Sequence, residues 1–197
     1  DVQKRVSVEI VRDVASSFIN TLWNTYGFFT MYARLDSPDL SHDIPVAERP
    51  ETDRWILALL HDTVRKVTDS LDRYDALNAG RHIEAFVDAL SNWYVRLNRR
   101  RFWKAVAGDD KQAAYLTLYE CLDIVQRLFA PIMPFIAESM YQNLVRNVHP
   151  HAPDSVHMCD WPLVDESRID DVLLAEFSVV RTVVSLGRAA RNQSGLR

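Results

Sequence analysis

The chain has 197 residues and only five glycines, well under the usual ~7% share, so strand turns and glycine-rich phosphate loops are scarce from the outset. Hydrophobic residues at 48% and charged residues at 25% describe a chain able to bury a real core and exclude intrinsic disorder. A formal net charge of −4 means that any nucleic-acid contact must come from a local basic patch.

No apolar run approaches the ~20 residues needed to span a bilayer, and residues 1–12 lack the apolar core of a signal peptide, which points to a soluble, cytoplasmic protein without membrane contact. The chain begins at Asp1 and ends at Arg197 inside a basic stretch, as expected for a piece of something longer. Its eight prolines fall in three clusters, and none lies between residues 51 and 130 or after 162. A proline inside a helix costs about 3 kcal/mol, so these stretches are where long helices can run.

Apolar residues recur at spacings of three and four in each segment, which predicts an all-α antiparallel helix bundle with helices over 3–34, 51–74, 76–103, 110–130, 134–147 and 168–192. The first carries Val11, Val14, Phe18, Leu22, Tyr26 and Phe29; the second carries Ile56, Leu60, Val64, Val67, Leu71 and Tyr74. The third stripe is Ile83, Phe86, Leu90, Tyr94 and Leu97, and the second and third helices read as antiparallel neighbours. Tyr115, Leu118, Leu122, Val125 and Phe129 mark the fourth, which ends at Pro131; Pro134 suits the first turn of the fifth. A polar loop over 148–168 leads to the last helix, with Ile169, Val172, Phe177, Val180, Val184 and Gly187 as its apolar stripe. Trp23, Trp55 and the methionines are expected in the core, and Trp161 as a plug on the bundle.

Residues 93–107, WYVRLNRRRFWKAVA, hold five basic side chains (Arg96, Arg99, Arg100, Arg101, Lys104), four aromatics and no acid. That mixture suits RNA, because guanidiniums pair with phosphates while aromatic and guanidinium planes stack on splayed bases. At about 100° per residue, Asn92, Arg96, Arg99 and Trp103 share one face, with Phe86, Leu90, Tyr94 and Leu97 roughly opposite. A basic helix end that merely complements the helix dipole fits the composition equally well. The last 21 residues form a second basic surface without acids, in which Arg181, Arg188 and Arg191 share a face.

The loop VHPHAPDSVHMCDW offers His149, His151, His157, Cys159 and Asp160, which are metal-ligand types without the paired spacing of a zinc site. Cys121 and Cys159 form no CxxC, and no helix carries the Glu-x-x-His pair of a di-iron bundle. P-loop, GxGxxG and GxSxG motifs are absent, and no catalytic residue and no metal site is expected.

The segment LSNWYVRLNRRRFW (Leu90 to Trp103) resembles the signature of the anticodon-binding helical domain of isoleucyl-tRNA synthetases, in the isoleucine/valine/leucine branch of the class I enzymes. FINTLWNTYGFFTMYA, ETDRWILALL, FAPIMPFIAESMY, SVHMCDWP and VVSLGRAARN resemble the same domain in the same order, so the likeness covers essentially the whole chain. The unbroken NRRRFW after NWY is similar to isoleucine rather than valine enzymes; the valine relative is the alternative.

The resemblance implies an anticodon stem-loop-binding module for an isoleucine-accepting tRNA, monomeric and joined to the catalytic domain of a longer chain. The family's HIGH and KMSKS motifs are absent, so the resemblance also implies no aminoacylation by this region and no cofactor in it, with ATP and magnesium used by the parent enzyme. The residues it marks for tRNA contact are Asn92, Trp93, Arg96, Arg99, Arg100, Arg101, Trp103, Arg188, Arg191 and Asn192. A helical domain docking an acidic protein through the basic ridge is the alternative from another class, and a helical metalloenzyme is a third.

Overall fold

The computed structural model describes residues 7–9, 12, 15–103 and 108–195; Val11, Val14, Lys104 and Arg197, and most of the first helix before residue 15, lie outside the described residues. Six long helical elements and no strand occur among the described residues. We number them α1 (a π turn at Ala15–Ile19 continuing as Asn20–Asp36), α2 (Glu51–Asp72), α3 (Ala76–Ala89, a π turn at Leu90–Val95, then Arg96–Trp103), α4 (Asp109–Phe129), α5 (Pro134–Tyr141 with a π turn at Gln142–Arg146) and α6 (Asp171–Gln193).

Local chemistry sets the ends. Ser37 adopts a left-handed conformation that closes α1 through its N–H to the Ala33 carbonyl. Asp75 caps α3 by accepting from Asn78 N at 3.0 Å, and Asp170 caps α6 by accepting from Leu173 N at 3.0 Å. That second cap is why the last helix starts at Asp171; the residues before it form a separate 3₁₀ turn at Glu166–Arg168.

Helix α2 is the axis of the bundle, buried over most of its circumference from Asp53 to Val64. It packs lengthwise on α3 and also against α4 and α6. The expected stripes of α1, α2 and α4 meet in one core, where Phe18, Leu22, Ile56, Leu60, Val64, Tyr115, Leu118, Leu122 and Phe129 are buried. On the far side of α2, Trp55 stacks on Phe177 of α6 with ring centroids 4.5 Å apart and 9° between planes. The loop after α5 closes the remaining flank: Trp161 Nε1 donates to Thr68 Oγ1 at 2.9 Å, and Tyr141 Oη donates to the Pro153 carbonyl at 2.7 Å.

Several expected core residues are at the surface instead. Trp23 is 45% exposed and lies against Tyr26, while Met31 and Met158 face solvent; Trp55 and Met140 are buried as expected. Leu97 is 58% exposed, because the π turn of α3 inserts an extra residue into the helical repeat. The inward series therefore runs Leu90, Tyr94, Asn98, Phe102 in steps of four, and Leu97 rotates out. In α6 only Leu173 is fully buried, with Leu174 and Phe177 packed beside it, and Val172 and Val180 are exposed. Beyond Ser178 this helix runs largely in solvent, with Val179, Val183 and Leu186 also exposed.

His61 of α2 is buried, and its Nδ1 accepts from Asp165 N at 3.2 Å, pinning the loop to the bundle. Its Nε2 has no hydrogen-bond partner and sits 4.0 Å from Glu120, which is itself paired with Arg168. Burial, reinforced by Arg168, pushes the imidazole pKa below its ordinary value, so the folded state holds His61 neutral.

Two outcomes follow, both read by denaturant titration. Leu122→Ala is expected to destabilise by about 2–5 kcal/mol and Leu97→Ala by no more than about 0.5 kcal/mol. As pH falls below ~6.5 the unfolded chain takes up a proton that folded His61 refuses, so stability drops by up to about 1.4 kcal/mol per pH unit until the folded imidazole titrates; His61→Gln should flatten that slope.

Candidate nucleic-acid interface

The second half of α3 separates its arginines into two kinds. Asn92, Arg96, Arg99, Arg100 and Trp103 are exposed, and Arg96, Arg99 and Arg100 pair with no acid among the described residues. The Arg99 guanidinium lies over the Trp103 ring, 5.0 Å from its centroid, so an exposed aromatic face and a cation stand together four residues apart. Asn92 Nδ2 donates to Asp88 Oδ1 at 2.8 Å.

Arg101 belongs to the other kind, which corrects its assignment to the RNA-facing set. The π turn that expels Leu97 carries Arg101 inward, where it is 8% exposed. Its Nη1 and Nη2 fork onto the two oxygens of Asp53 at 2.6 and 2.8 Å, and its Nε meets Asp110 Oδ1 at 2.8 Å. Asn98 Oδ1 accepts from the same Nη1 at 3.1 Å, and Tyr94 Oη donates to Asp53 Oδ1 at 2.7 Å. Burial opposes the charge on Arg101, but the Asp53 carboxylate more than offsets it and raises the guanidinium pKa. Burial and then Asp53 push the Tyr94 phenol well up, keeping it protonated as a donor.

The last helix reaches the same surface. Arg181 and Arg188 place their guanidiniums 5.4 and 5.6 Å from the centroid of the half-buried Trp93 ring, and Arg181 Nη2 donates to Asp88 Oδ2 at 3.2 Å. The two basic surfaces of the sequence are therefore joined at Trp93. Arg191 and Asn192 are exposed further along α6 and make no hydrogen bond or ion pair with α3 among the described residues. Arg181 and Asp88 fall outside the set marked by the resemblance; the seven-residue step from Arg181 to Arg188 was the signal for the first, and nothing in the sequence singled out the second.

Among the described residues no group of three or more His, Cys, Asp or Glu side chains is placed to hold a metal ion, the histidine loop included. Cys121 is buried with its thiol pKa pushed well up by burial, which makes it a poor nucleophile. No helix among the described residues is long and apolar enough to cross a membrane. An exposed run of unpaired guanidiniums interleaved with aromatic faces, on a rigid helix, is suited to binding a polyanion that also carries flat bases.

Residues 53–197 match the family of anticodon-binding domains of tRNA ligases, and the chain belongs to that family. More particularly, it is similar to the isoleucine–tRNA ligase of Thermus thermophilus, 47% identical over 198 residues that cover 100% of this chain and 19% of the relative. It is 49% identical to the isoleucine–tRNA ligase of Deinococcus radiodurans and 43% to that of Thermobifida fusca, covering 99% and 98% of this chain and 18% of each relative. The chain thus spans about a fifth of the length of these curated relatives.

The division among the arginines is measurable. Arg101→Met leaves the Asp53 carboxylate buried without its partner and should cost about 3–5 kcal/mol in chemical denaturation. Arg99→Ala should stay within about 0.5 kcal/mol of wild type.

Proposed function

We propose that this chain is the tRNA-gripping domain of an isoleucine–tRNA ligase, binding the anticodon stem and loop of the isoleucine-accepting tRNA through the exposed side of α3 and the adjoining part of α6. The observation that carries this reading is the meeting of α3 and α6 at Trp93, which turns two modest basic segments of an acidic chain into one continuous surface. Phosphate contacts from Arg96, Arg99, Arg100, Arg181 and Arg188 would fix register, and Trp103 with Asn92 would meet the loop bases.

The domain performs no bond making in this reading. Binding energy gathered here holds the tRNA so that its distant acceptor end is presented to the catalytic domain of the same parent chain, where chemistry with ATP and magnesium takes place. The parent acts as a monomer in the cytoplasm.

The test is fluorescence anisotropy of labelled stem-loops carrying the isoleucine and valine anticodons, titrated with the chain across a salt series. Tighter binding of the isoleucine loop is expected, with a log–log salt slope of about −0.7 to −0.9 per phosphate neutralised. An Arg96/Arg99/Arg100 triple alanine variant should lose most of that affinity and flatten the slope. Binding indifferent to salt and to the triple variant would sink the reading.

A further inference from the structure

Between α3 and α6 runs a groove of about 520 Å³, lined by Asp88 and Trp93 on one side and by Ser178, Arg181, Thr182 and Ser185 on the other. Hydroxyls, a guanidinium and an aromatic wall are the usual partners of a sugar-phosphate backbone. One feature runs against that chemistry: Asp88, an acid, stands at the centre. Its Oδ2 accepts from Arg181 Nη2 at 3.2 Å and its Oδ1 accepts from Asn92 Nδ2 at 2.8 Å. A single anionic group thus receives donors from both helices, in the manner of a phosphate with two oxygens engaged.

The arginines do not depend on Asp88 for their placement. Arg181 and Arg188 both lie against Trp93, whose ring attracts the guanidiniums through its quadrupole and leaves their N–H edges able to turn toward a second anion. The Asp88 side chain is half exposed, and an ion pair in that setting contributes little to stability, so exchanging it for another anion costs the fold little.

We propose that the α3–α6 groove is a subsite for a backbone phosphate of the bound RNA and that Asp88 occupies it in the free protein. On binding, the phosphate takes over Arg181 and Asn92, Arg188 joins it, and Trp93 holds both guanidinium planes in place. Asp88 then acts as a filter: a polyanion that cannot present a phosphate in this groove meets a neutralised Arg181 and a repelling carboxylate, whereas the fitted RNA displaces it. This rests on the tRNA reading given above.

The experiment measures binding of the isoleucine stem-loop, and of a single-stranded uridine oligomer of equal length, to the wild-type chain, Asp88→Asn, Arg181→Gln, the Asp88→Asn/Arg181→Gln pair, Trp93→Phe and Trp93→Ala, with circular dichroism melts as the check on folding. Asp88→Asn should tighten binding of the uridine oligomer by about three- to tenfold and of the stem-loop by less, eroding discrimination. Arg181→Gln should weaken the stem-loop and abolish the effect of Asp88→Asn. Trp93→Phe should keep the stem-loop affinity that Trp93→Ala loses, at unchanged melting temperature. If Asp88→Asn leaves both affinities unchanged or weakens them, Asp88 is only a tie between the helices and the subsite is wrong, while salt-sensitive stem-loop binding by wild type would still uphold the tRNA reading. If wild type fails to bind the stem-loop at all, both fall together.

Discussion

The fork of Arg101 onto Asp53 is the constraint on which the rest of this domain depends. Asp53 lies in the first turn of α2, Arg101 in the last turns of α3, and Asp110, which also meets Arg101, in the first turn of α4. One guanidinium therefore fixes the relation of three helices at one end of the bundle, and each charge sits where its own helix dipole favours it, the acids at N-termini and the arginine near a C-terminus. A buried pair of this kind is a poor source of net stability, because dehydrating both ions consumes most of what their attraction returns. Its value is geometric: with Tyr94, Asn98 and Thr52 satisfying the remaining lone pairs and donors, only one arrangement of the junction leaves no buried charge alone.

That rigidity is what the surface of α3 needs. Arg96, Arg99, Arg100 and Trp103 are long side chains that order only on meeting a ligand, so the backbone beneath them has to be fixed in advance. The same helix supplies both requirements, an inward side anchored by Tyr94, Asn98, Arg101 and Phe102 and an outward side left without acids. Helix α6 adds a second component that is bound differently. Its first turns are held by Leu173 and by the Trp55–Phe177 stack, while its later turns touch the bundle chiefly through Arg181 and Arg188 on Trp93.

Much of this was legible in the sequence. The stripes of α1, α2 and α4 needed only three- and four-residue spacing, since those helices are regular where they enter the core, and the family was carried by the ordered motif around NWYVRLNRRRFW. What escaped has a common physical origin in α3: the π turn at Leu90–Val95 leaves no mark in composition, yet it shifts the phase of everything after it. An ideal 100° repeat therefore turned Leu97 inward and left Arg101 among the surface arginines, the reverse of their observed places. Trp23, Met31 and Met158 were misplaced for a simpler reason, because hydrophobicity alone does not say which residues lie beside a stripe and which within it. The role of α6 was half legible: spacing grouped Arg181 with Arg188, but only the packing against Trp93 shows what that face meets.

The junction at Arg101 also behaves differently from the aromatic core when the protein is heated. Hydration of charged groups becomes less favourable as temperature rises, so the penalty for having stripped water from Asp53 and Arg101 shrinks, whereas burial of Phe86, Phe102 or Phe129 gains little more. The weight of the structure thus moves with warming from its greasy centre toward this one electrostatic corner. In a family with members in Thermus as well as in organisms of milder habitats, a single guanidinium at the meeting of three helices gives the same fold a means of holding its shape over a wide span of temperatures.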